Sequence, residues 1–246
     1  MLRRRRAFHH FESLTRAGRR YVILAGDIMQ TPEAEGASIV MIGSFNPAIF
    51  QPRWLGAQQL IRAEEAENAK ITIIQAQVAD FSTEWFQLQV LQQRFTVFTT
   101  DPRQYGPLRD LAVGMFAILA HTPVSLVGIN RHFHFTTPSV DVWHKIGHRL
   151  APKEPWHEII TGPGLRSLLM EGRRDETSQG ILRIKIEPSL KIKHGIYVEV
   201  NEEFRAPTDG PSEGAQWVPS CLAMQWDPFM AFAENAGRRI LPLGNV

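Results

Sequence analysis

Four histidines in the middle of the chain have the spacing of metal ligands. His132 and His134 are two residues apart in a segment of alternating hydropathy, where a strand would carry both imidazoles on one face. His144 and His148 are four residues apart in a segment with helical spacing, so both imidazoles could reach one ion. The four residues together are a candidate site for a metal-dependent hydrolase or nuclease.

The surrounding sequence favours solvated or packing histidines over a shared ion. A common site requires the helix expected at residues 139–150 to cover the polar face of the preceding strand, whereas its amphipathic pattern directs it elsewhere. The chain contains no H-E-x-x-H motif, and its single cysteine, Cys221, has apolar neighbours typical of a buried side chain. We therefore predict no catalytic residues and no cofactor, and we keep the metal site as an alternative.

Composition and hydropathy exclude several classes of protein. The chain has 246 residues, of which 43% are hydrophobic and 21% charged, as in an ordinary globular protein. Its longest uninterrupted apolar stretch, residues 111–120, is half of the ~20 residues that a membrane-spanning helix needs. One cysteine cannot form an intramolecular disulfide framework, which excludes a bridge-stabilised secreted scaffold. We therefore expect a cytoplasmic protein without a membrane partner.

Positive charge is concentrated near the N-terminus. Residues 1–21 contain seven arginines and one glutamate, whereas the remaining residues contain 20 basic and 24 acidic side chains. A basic arm can bind nucleic-acid phosphates, and the residues that would do so are Arg3, Arg4, Arg5 and Arg6. The mildly acidic remainder argues against nucleic acid as the main partner.

The first strongly patterned segment follows Met29, which indicates that the basic leader is separate from the fold. The codons just upstream of Met29 can form a purine-rich ribosome-binding site. We therefore expect Met29, rather than Met1, to be the native start. Residues 1–28 are expected to be a basic, disordered leader, and residues 29–246 a single α+β domain.

Hydropathy patterning predicts an α+β fold with a mainly antiparallel sheet. The order strand, helix, strand, strand, helix, strand within residues 38–136 is that of a ferredoxin-like β-α-β-β-α-β unit with helices on one face. The second and third strands are expected to form one hairpin. A C-terminal three-strand meander and a terminal helix follow and would extend the unit. The expected strands are residues 38–45, 71–81, 86–98, 125–135, 165–171, 181–187 and 196–204, and the expected helices are residues 47–60, 107–119, 139–150 and 227–240.

A short segment resembles the opening of nucleotidyltransferases that transfer adenylyl groups. Residues 40–47 read V-M-I-G-S-F-N-P, similar to the first strand of that family and the G-S-F-[DN]-P turn after it. The family's next motif, H-x-G-H, stabilises nucleotide phosphates, but Ile49 and Pro52 stand at its histidine positions and Gln51 at its glycine. No catalytic residue carries over, and we interpret the segment as a buried strand that ends in an Asn-Pro turn.

The order of elements resembles that of a sporadically distributed family of bacterial proteins of unknown function, which have a ferredoxin-like α+β core. In that family a strand reading roughly V-x-I-D-x-D precedes the C-terminal helix. Residues 196–201 read I-Y-V-E-V-N, with Glu199 and Asn201 at the two acidic positions. The resemblance implies a bacterial accessory protein and carries over no catalytic residue.

A large patterned core without a complete catalytic constellation predicts a non-enzymatic protein. We expect a binding or assembly component that acts through self-association, as a homo-oligomer, or through a protein partner. Two alternatives belong to other classes: a metal-dependent hydrolase or nuclease built on His132, His134, His144 and His148, and nucleic-acid binding through the N-terminal arginine arm. Elemental analysis and salt-sensitive binding would separate the three.

Overall fold

The computed structural model describes residues 31–207 and 214–244 in full and, nearer the N-terminus, the backbone of two short strands. These strands, β1 (Val22–Leu24) and β2 (Asp27–Met29), pair with each other in antiparallel register. The predicted arginine arm lies outside the described residues, as does most of the predicted leader. The domain boundary expected at Met29 therefore stays a prediction.

A large sheet of nine strands forms the centre of the described structure. The strands, in chain order, are β3 (Ala34–Gly43), β4 (Lys70–Ile74), β5 (Val78–Ser82), β6 (Gln87–Leu91), β7 (Arg94–Thr99), β8 (Val124–Thr136), β9 (Leu168–Gly172), β10 (Ile181–Pro188) and β11 (Gly195–Arg205). Across the sheet they lie in the order β4-β5-β6-β7-β3-β8-β11-β10-β9, and each neighbouring pair is antiparallel. The three longest strands, β3, β8 and β11, are adjacent at the centre, and β4 and β9 are the two edges. The predicted α+β class with a mainly antiparallel sheet is confirmed.

The segment predicted as one hairpin forms four strands. The expected strand at residues 71–81 is divided into β4 and β5, and the one at residues 86–98 is divided into β6 and β7. The two extra turns, at residues 75–77 and 92–93, consist of glutamine and alanine and contain no Gly, Pro, Asn or Asp. The single-hairpin prediction is wrong. Each of the two apolar runs folds back on itself and forms two paired strands, although neither run contains a residue typical of turns.

Five α-helices lie among the described residues: α1 (Pro52–Ala57), α2 (Ala63–Glu67), α3 (Tyr105–Ile118), α4 (Val140–Leu150) and α5 (Trp217–Ile240). The apolar stripe that predicted α3 is buried over most of its length. α5 begins ten residues earlier than predicted. Pro219 lies in its first turn, where a proline has no helical hydrogen bond to lose, and Pro228, near the predicted start, lies inside the observed helix. None of these helices combines the length and the apolar run that crossing a bilayer needs.

Helices α3 and α5 pack against one face of the sheet, the covered face. α3 contacts β3 and β7, and α5 contacts α3, β8 and β11. Alternation along β8 places Ile129 and Phe133 on the covered face, where both are buried, and Gly237 of α5 lies against the Phe133 ring. The opposite face, the polar face, receives the alternate residues of β8, among them His132 and His134.

Two ion pairs, each with one buried member, lie on the covered side of the sheet. Arg131 Nη2 lies 2.5 Å from Glu35 Oε2, and the Arg131 guanidinium stacks 4.5 Å from the centre of the Tyr105 ring. Glu202 is fully buried and pairs with Arg174 at 2.9 Å. Because Arg131 and Glu202 each have an opposite charge beside them, the covered face tolerates these two buried ionisable groups beside its apolar core.

Candidate functional site

The polar face carries a chain of hydrogen-bonded side chains that crosses four neighbouring strands. The Ser38 hydroxyl lies 3.2 Å from His132 Nε2, and His132 Nδ1 lies 2.8 Å from the Tyr197 hydroxyl. Tyr197 donates to Glu199 Oε2 at 2.7 Å, and Lys185 Nζ lies 3.3 Å from the same oxygen. Strands β3, β8, β11 and β10 thus contribute to one continuous network.

Strand register explains why these residues meet. In an antiparallel pair, residues directly opposite each other point to the same face of the sheet. β8 and β11 pair so that His132 faces Glu199, and β11 and β10 pair so that Glu199 faces Lys185. On the other side of β8, His132 faces Gly36, and Ser38 lies diagonally across from it. The period of two along each strand therefore gathers these polar side chains on one surface.

The directions of the hydrogen bonds follow from the protons that each group has. Tyr197 has one hydroxyl proton and donates it to the Glu199 carboxylate, so its oxygen accepts the Nδ1 proton of His132. The unprotonated Nε2 of His132 then accepts from Ser38. Burial lowers the pKa of His132 and so favours the neutral imidazole that this arrangement requires. Burial also raises the pKa of Tyr197, which keeps its hydroxyl protonated.

Ser38 and His132 have the arrangement of a nucleophile and its base. A serine hydroxyl that donates to a neutral imidazole is the first part of an acyl-transfer site. Ser38 is only 5% exposed, however, and it lies in the middle of a strand rather than at the tip of a loop. The network holds its groups in fixed positions and leaves the serine oxygen little room to reach a substrate.

His134 lies on the same face as His132. Its Nδ1 is 2.8 Å from the Ser189 hydroxyl, and its ring lies 4.9 Å from the Tyr197 ring, centre to centre. Burial lowers the pKa of His134 as it does that of His132. Both imidazoles of β8 are thus held neutral by the side chains around them.

A cleft of about 560 Å³ opens on the polar face beside this network. Arg94 and Phe98 of β7 line one side, and Lys191, in the turn between β10 and β11, lines the other. Between them, Ser38 and His132 form part of the floor. The cleft therefore combines a hydrogen-bonding floor with cationic and aromatic sides.

His144 and His148 line a different cavity, of about 760 Å³, which α4 forms with residues of β10 and β11. α4 is anchored there by Trp143, whose indole nitrogen donates to the Gly195 carbonyl at 3.1 Å. His148 Nε2 lies 3.1 Å from Glu154. The structure thus brings the four predicted histidines together as two pairs. Within the described residues, no group of three or more His, Cys, Asp or Glu side chains is placed to hold a metal ion, and metal binding by all four stays a prediction.

Of the five residues of the network, only His132 was a candidate site residue predicted from the sequence. Ser38, Tyr197 and Lys185 each lie among the every-second residues that share the polar face of a predicted strand. The alternation along these strands could therefore have indicated them. What the sequence does not reveal is the register between distant strands. Ser38 and His132, for example, are 94 residues apart in the chain.

Both edge strands of the sheet expose apolar side chains. Leu169 and Met170 on β9 are each 58% exposed, and so is Ile71 on β4. β9 pairs with β10 in an unbroken register, whereas the register of β4 against β5 shifts between Ile71 and Ile73. Strand β9 is therefore the more regular of the two free edges.

No protein-family model matches the chain, and no curated protein matches it significantly. The residues of the chain itself are therefore the basis for assigning a function.

Proposed function

We propose that the chain is a non-enzymatic assembly component that forms a homodimer through the free edge of β9. The exposure of Leu169 and Met170, on a strand that has a neighbour on one side only among the described residues, carries this proposal. Such an edge leaves backbone N–H and C=O groups unpaired, and these groups can form a ladder with another strand. Burial of the two apolar side chains of each copy would add to the stability of that ladder.

Symmetry restricts the way in which β9 can pair with itself. A two-fold axis perpendicular to the sheet keeps each face of the sheet on the same side in both copies. Residues opposite each other in the new ladder must then point to the same face, so one residue of β9 lies opposite its own copy and the axis passes midway between the two. An axis at Met170 pairs the whole strand, with Leu168 opposite Gly172 and Leu169 opposite Glu171. In this register Met170 packs against the partner's Met170.

The opposite edge of the sheet, β4, is a poorer surface for the same interaction. Its register against β5 shifts between Ile71 and Ile73, as at a β-bulge. A bulge twists an edge and interrupts its regular row of donors and acceptors. The most exposed apolar side chains of the two edges are equally exposed, but only β9 has an unbroken register with its neighbour. Strand β4 therefore serves as a control for β9.

Size-exclusion chromatography with light scattering on the full-length chain tests this proposal. We expect the wild-type chain to have the mass of a dimer. The double variant Leu169→Lys/Met170→Lys should be a monomer, because lysines on an edge strand repel a second copy. The control is Ile71→Lys, which places one lysine at the equally exposed position of β4 and should leave the dimer intact. A monomeric wild-type chain, or an Ile71→Lys variant that dissociates like the double variant, would overturn the proposal.

We also infer that the centre of the sheet is a ferredoxin-like unit. The order β8-β3-β7-β6 supports this inference, because it is the order of the fourth, first, third and second strands of such a unit. Helix α3, between β7 and β8, corresponds to its second helix. Strands β4 and β5 are then an added hairpin on one side, and β11, β10 and β9 are the extension on the other.

We further propose that the protein works in the cytoplasm of a bacterium. Its single cysteine, Cys221, is buried and unpaired, and burial raises the pKa of this thiol to about 12. A reducing compartment suits a chain that has no disulfide. Bacterial origin is supported by the resemblance of residues 196–201, within β11, to the strand of the sporadically distributed bacterial family.

A further inference from the structure

The cleft on the polar face is a feature independent of the β9 edge. We propose that this cleft binds a small organic anion, namely a phosphate or carboxylate group on an aromatic body. The cleft volume of about 560 Å³ lies within the range of small-molecule sites, about 300–1,000 Å³. The class of ligand follows from the charges, the aromatic side and the neutral floor of the cleft.

The charges of the cleft favour an anion. Among the described residues, Arg94 and Lys191 form no ion pair, and the Arg94 side chain donates to a threonine hydroxyl on its own strand. The two acids of the cleft, Glu187 and Glu199, lie 3.9 and 3.3 Å from Lys185, which neutralises part of their charge. Arg94 and Lys191 balance the two acids of the cleft, and Lys185, which does not itself line the cleft, makes the net charge of these five groups positive. An anion that reaches Arg94 or Lys191 would gain a charge-assisted hydrogen bond.

Phe98 provides the aromatic side of the cleft. Its ring is partly exposed and meets the His132 ring edge to face, with 6.2 Å between the ring centres. Gly36 lies behind Phe98, and a Cβ at this glycine would come within 2.8 Å of the Phe98 ring. The glycine therefore lets the ring pack closely on the sheet. A flat ligand body can stack against an aromatic ring that is held in this way.

The floor of the cleft is neutral, so the charged sides decide the charge of the ligand. The network described above fits a neutral imidazole at His132, which burial also favours by lowering the pKa of this residue. The Asn130 side chain is already engaged, because its oxygen accepts from Asn201 at 2.8 Å. The Thr96 hydroxyl accepts from Arg94 at 3.3 Å and retains its own proton. Thr96 can therefore donate to the same anionic group as Arg94.

Isothermal titration calorimetry of the full-length chain tests the ligand class with four simple probes. Phenyl phosphate and benzoate each carry an anion on a ring, inorganic phosphate carries the anion alone, and benzyl alcohol carries the ring alone. We expect saturable binding of phenyl phosphate or benzoate, and the tighter of the two identifies the anionic group. Inorganic phosphate should bind roughly tenfold more weakly than the better probe, and benzyl alcohol should give no binding isotherm.

Charge-removing variants test whether binding occurs in the cleft. Arg94→Gln and Lys191→Gln should each weaken binding roughly five- to tenfold. Arg205→Gln removes a cation of β11 that does not line the cleft, and it should leave the affinity unchanged. Absence of binding by both aromatic anions, or equal binding by the wild-type chain and both cleft variants, would overturn the proposal. Equal affinity for inorganic phosphate and the better aromatic probe would overturn the proposal that the ligand has an aromatic body.

Discussion

Removal of the Tyr197 hydroxyl tests whether the network on the polar face stabilises the fold. Tyr197→Phe deletes an acceptor for His132 and a donor to Glu199, and it leaves the aromatic ring in place. Lys185 still lies 3.3 Å from Glu199, so the variant creates no isolated charge. The substitution therefore removes two hydrogen bonds and leaves the other contacts of this side chain in place.

We expect Tyr197→Phe to lower the free energy of unfolding by about 1–2 kcal/mol. A hydrogen bond to a charged group contributes roughly 1.5–3 kcal/mol, and one between neutral groups about 0.5–1.5 kcal/mol. The side chains of His132 and Glu199 are 24% and 26% exposed, so water replaces part of what is lost. For a domain of this size, the loss corresponds to a fall in Tm of about 2–8 °C.

Urea unfolding followed by circular dichroism measures this loss. The matched control is Tyr105→Phe, which removes a hydroxyl that donates to Glu35 at 3.3 Å on the covered side. This bond is longer and Glu35 keeps its ion pair with Arg131, so the control should cost less than about 1 kcal/mol. A double-mutant cycle of Tyr197→Phe with Glu199→Gln should give a coupling energy of at least about 0.5 kcal/mol. An unchanged stability, or strictly additive effects in the cycle, would refute the network.

Three further predictions concern pH, a buried charge and two glycines. Because burial lowers the pKa of His132 below its unfolded value, the unfolded chain takes up this proton first, and stability should fall as the pH drops below about 6.5. Urea titrations at several pH values should show a smaller fall for His132→Gln. Glu202→Ala should cost roughly 1–3 kcal/mol in the same assay, because the hydroxyl of the buried Ser178 loses its acceptor and Arg174 loses one of its partners. In calorimetric unfolding, Gly43→Ala should cost about 1–3 kcal/mol, since its Cβ would lie 2.1 Å from a backbone oxygen, whereas Gly147→Ala, with open space around it, should add about 0.5–1 kcal/mol.

Elements with a strong local pattern were predictable from the sequence. The stripe that includes Leu108 and Met115 is apolar at every helical repeat, and these residues are buried in α3. The alternation along residues 181–187 likewise appears as β10. The turn at residues 92–93 was missed because two glutamines carry no conformational signal of their own. Strand order was beyond local patterns, since it depends on contacts between distant segments.

The candidate site was predictable only within single elements. The spacing of His132 and His134 correctly placed them on one face of a strand. Their partners come from β3 and β11, and Ser38 and Tyr197 lie 94 and 65 residues from His132. Which side chains meet His132 therefore depends on strand order and register. The helical spacing of His144 and His148 was also visible, but the position of α4 depends on a distant contact between its tryptophan and β11.

Hydrogen exchange at β9, measured over a range of protein concentrations, tests the proposed dimer most directly. Amides of residues 168–172 that point away from β10 are unpaired in a monomer and would be hydrogen-bonded in a dimer. We predict that the protection of this segment rises with protein concentration, while residues 70–74 of β4 exchange at the same rate throughout. Equally fast exchange of the β9 amides at low and high concentration would contradict dimerisation through this edge.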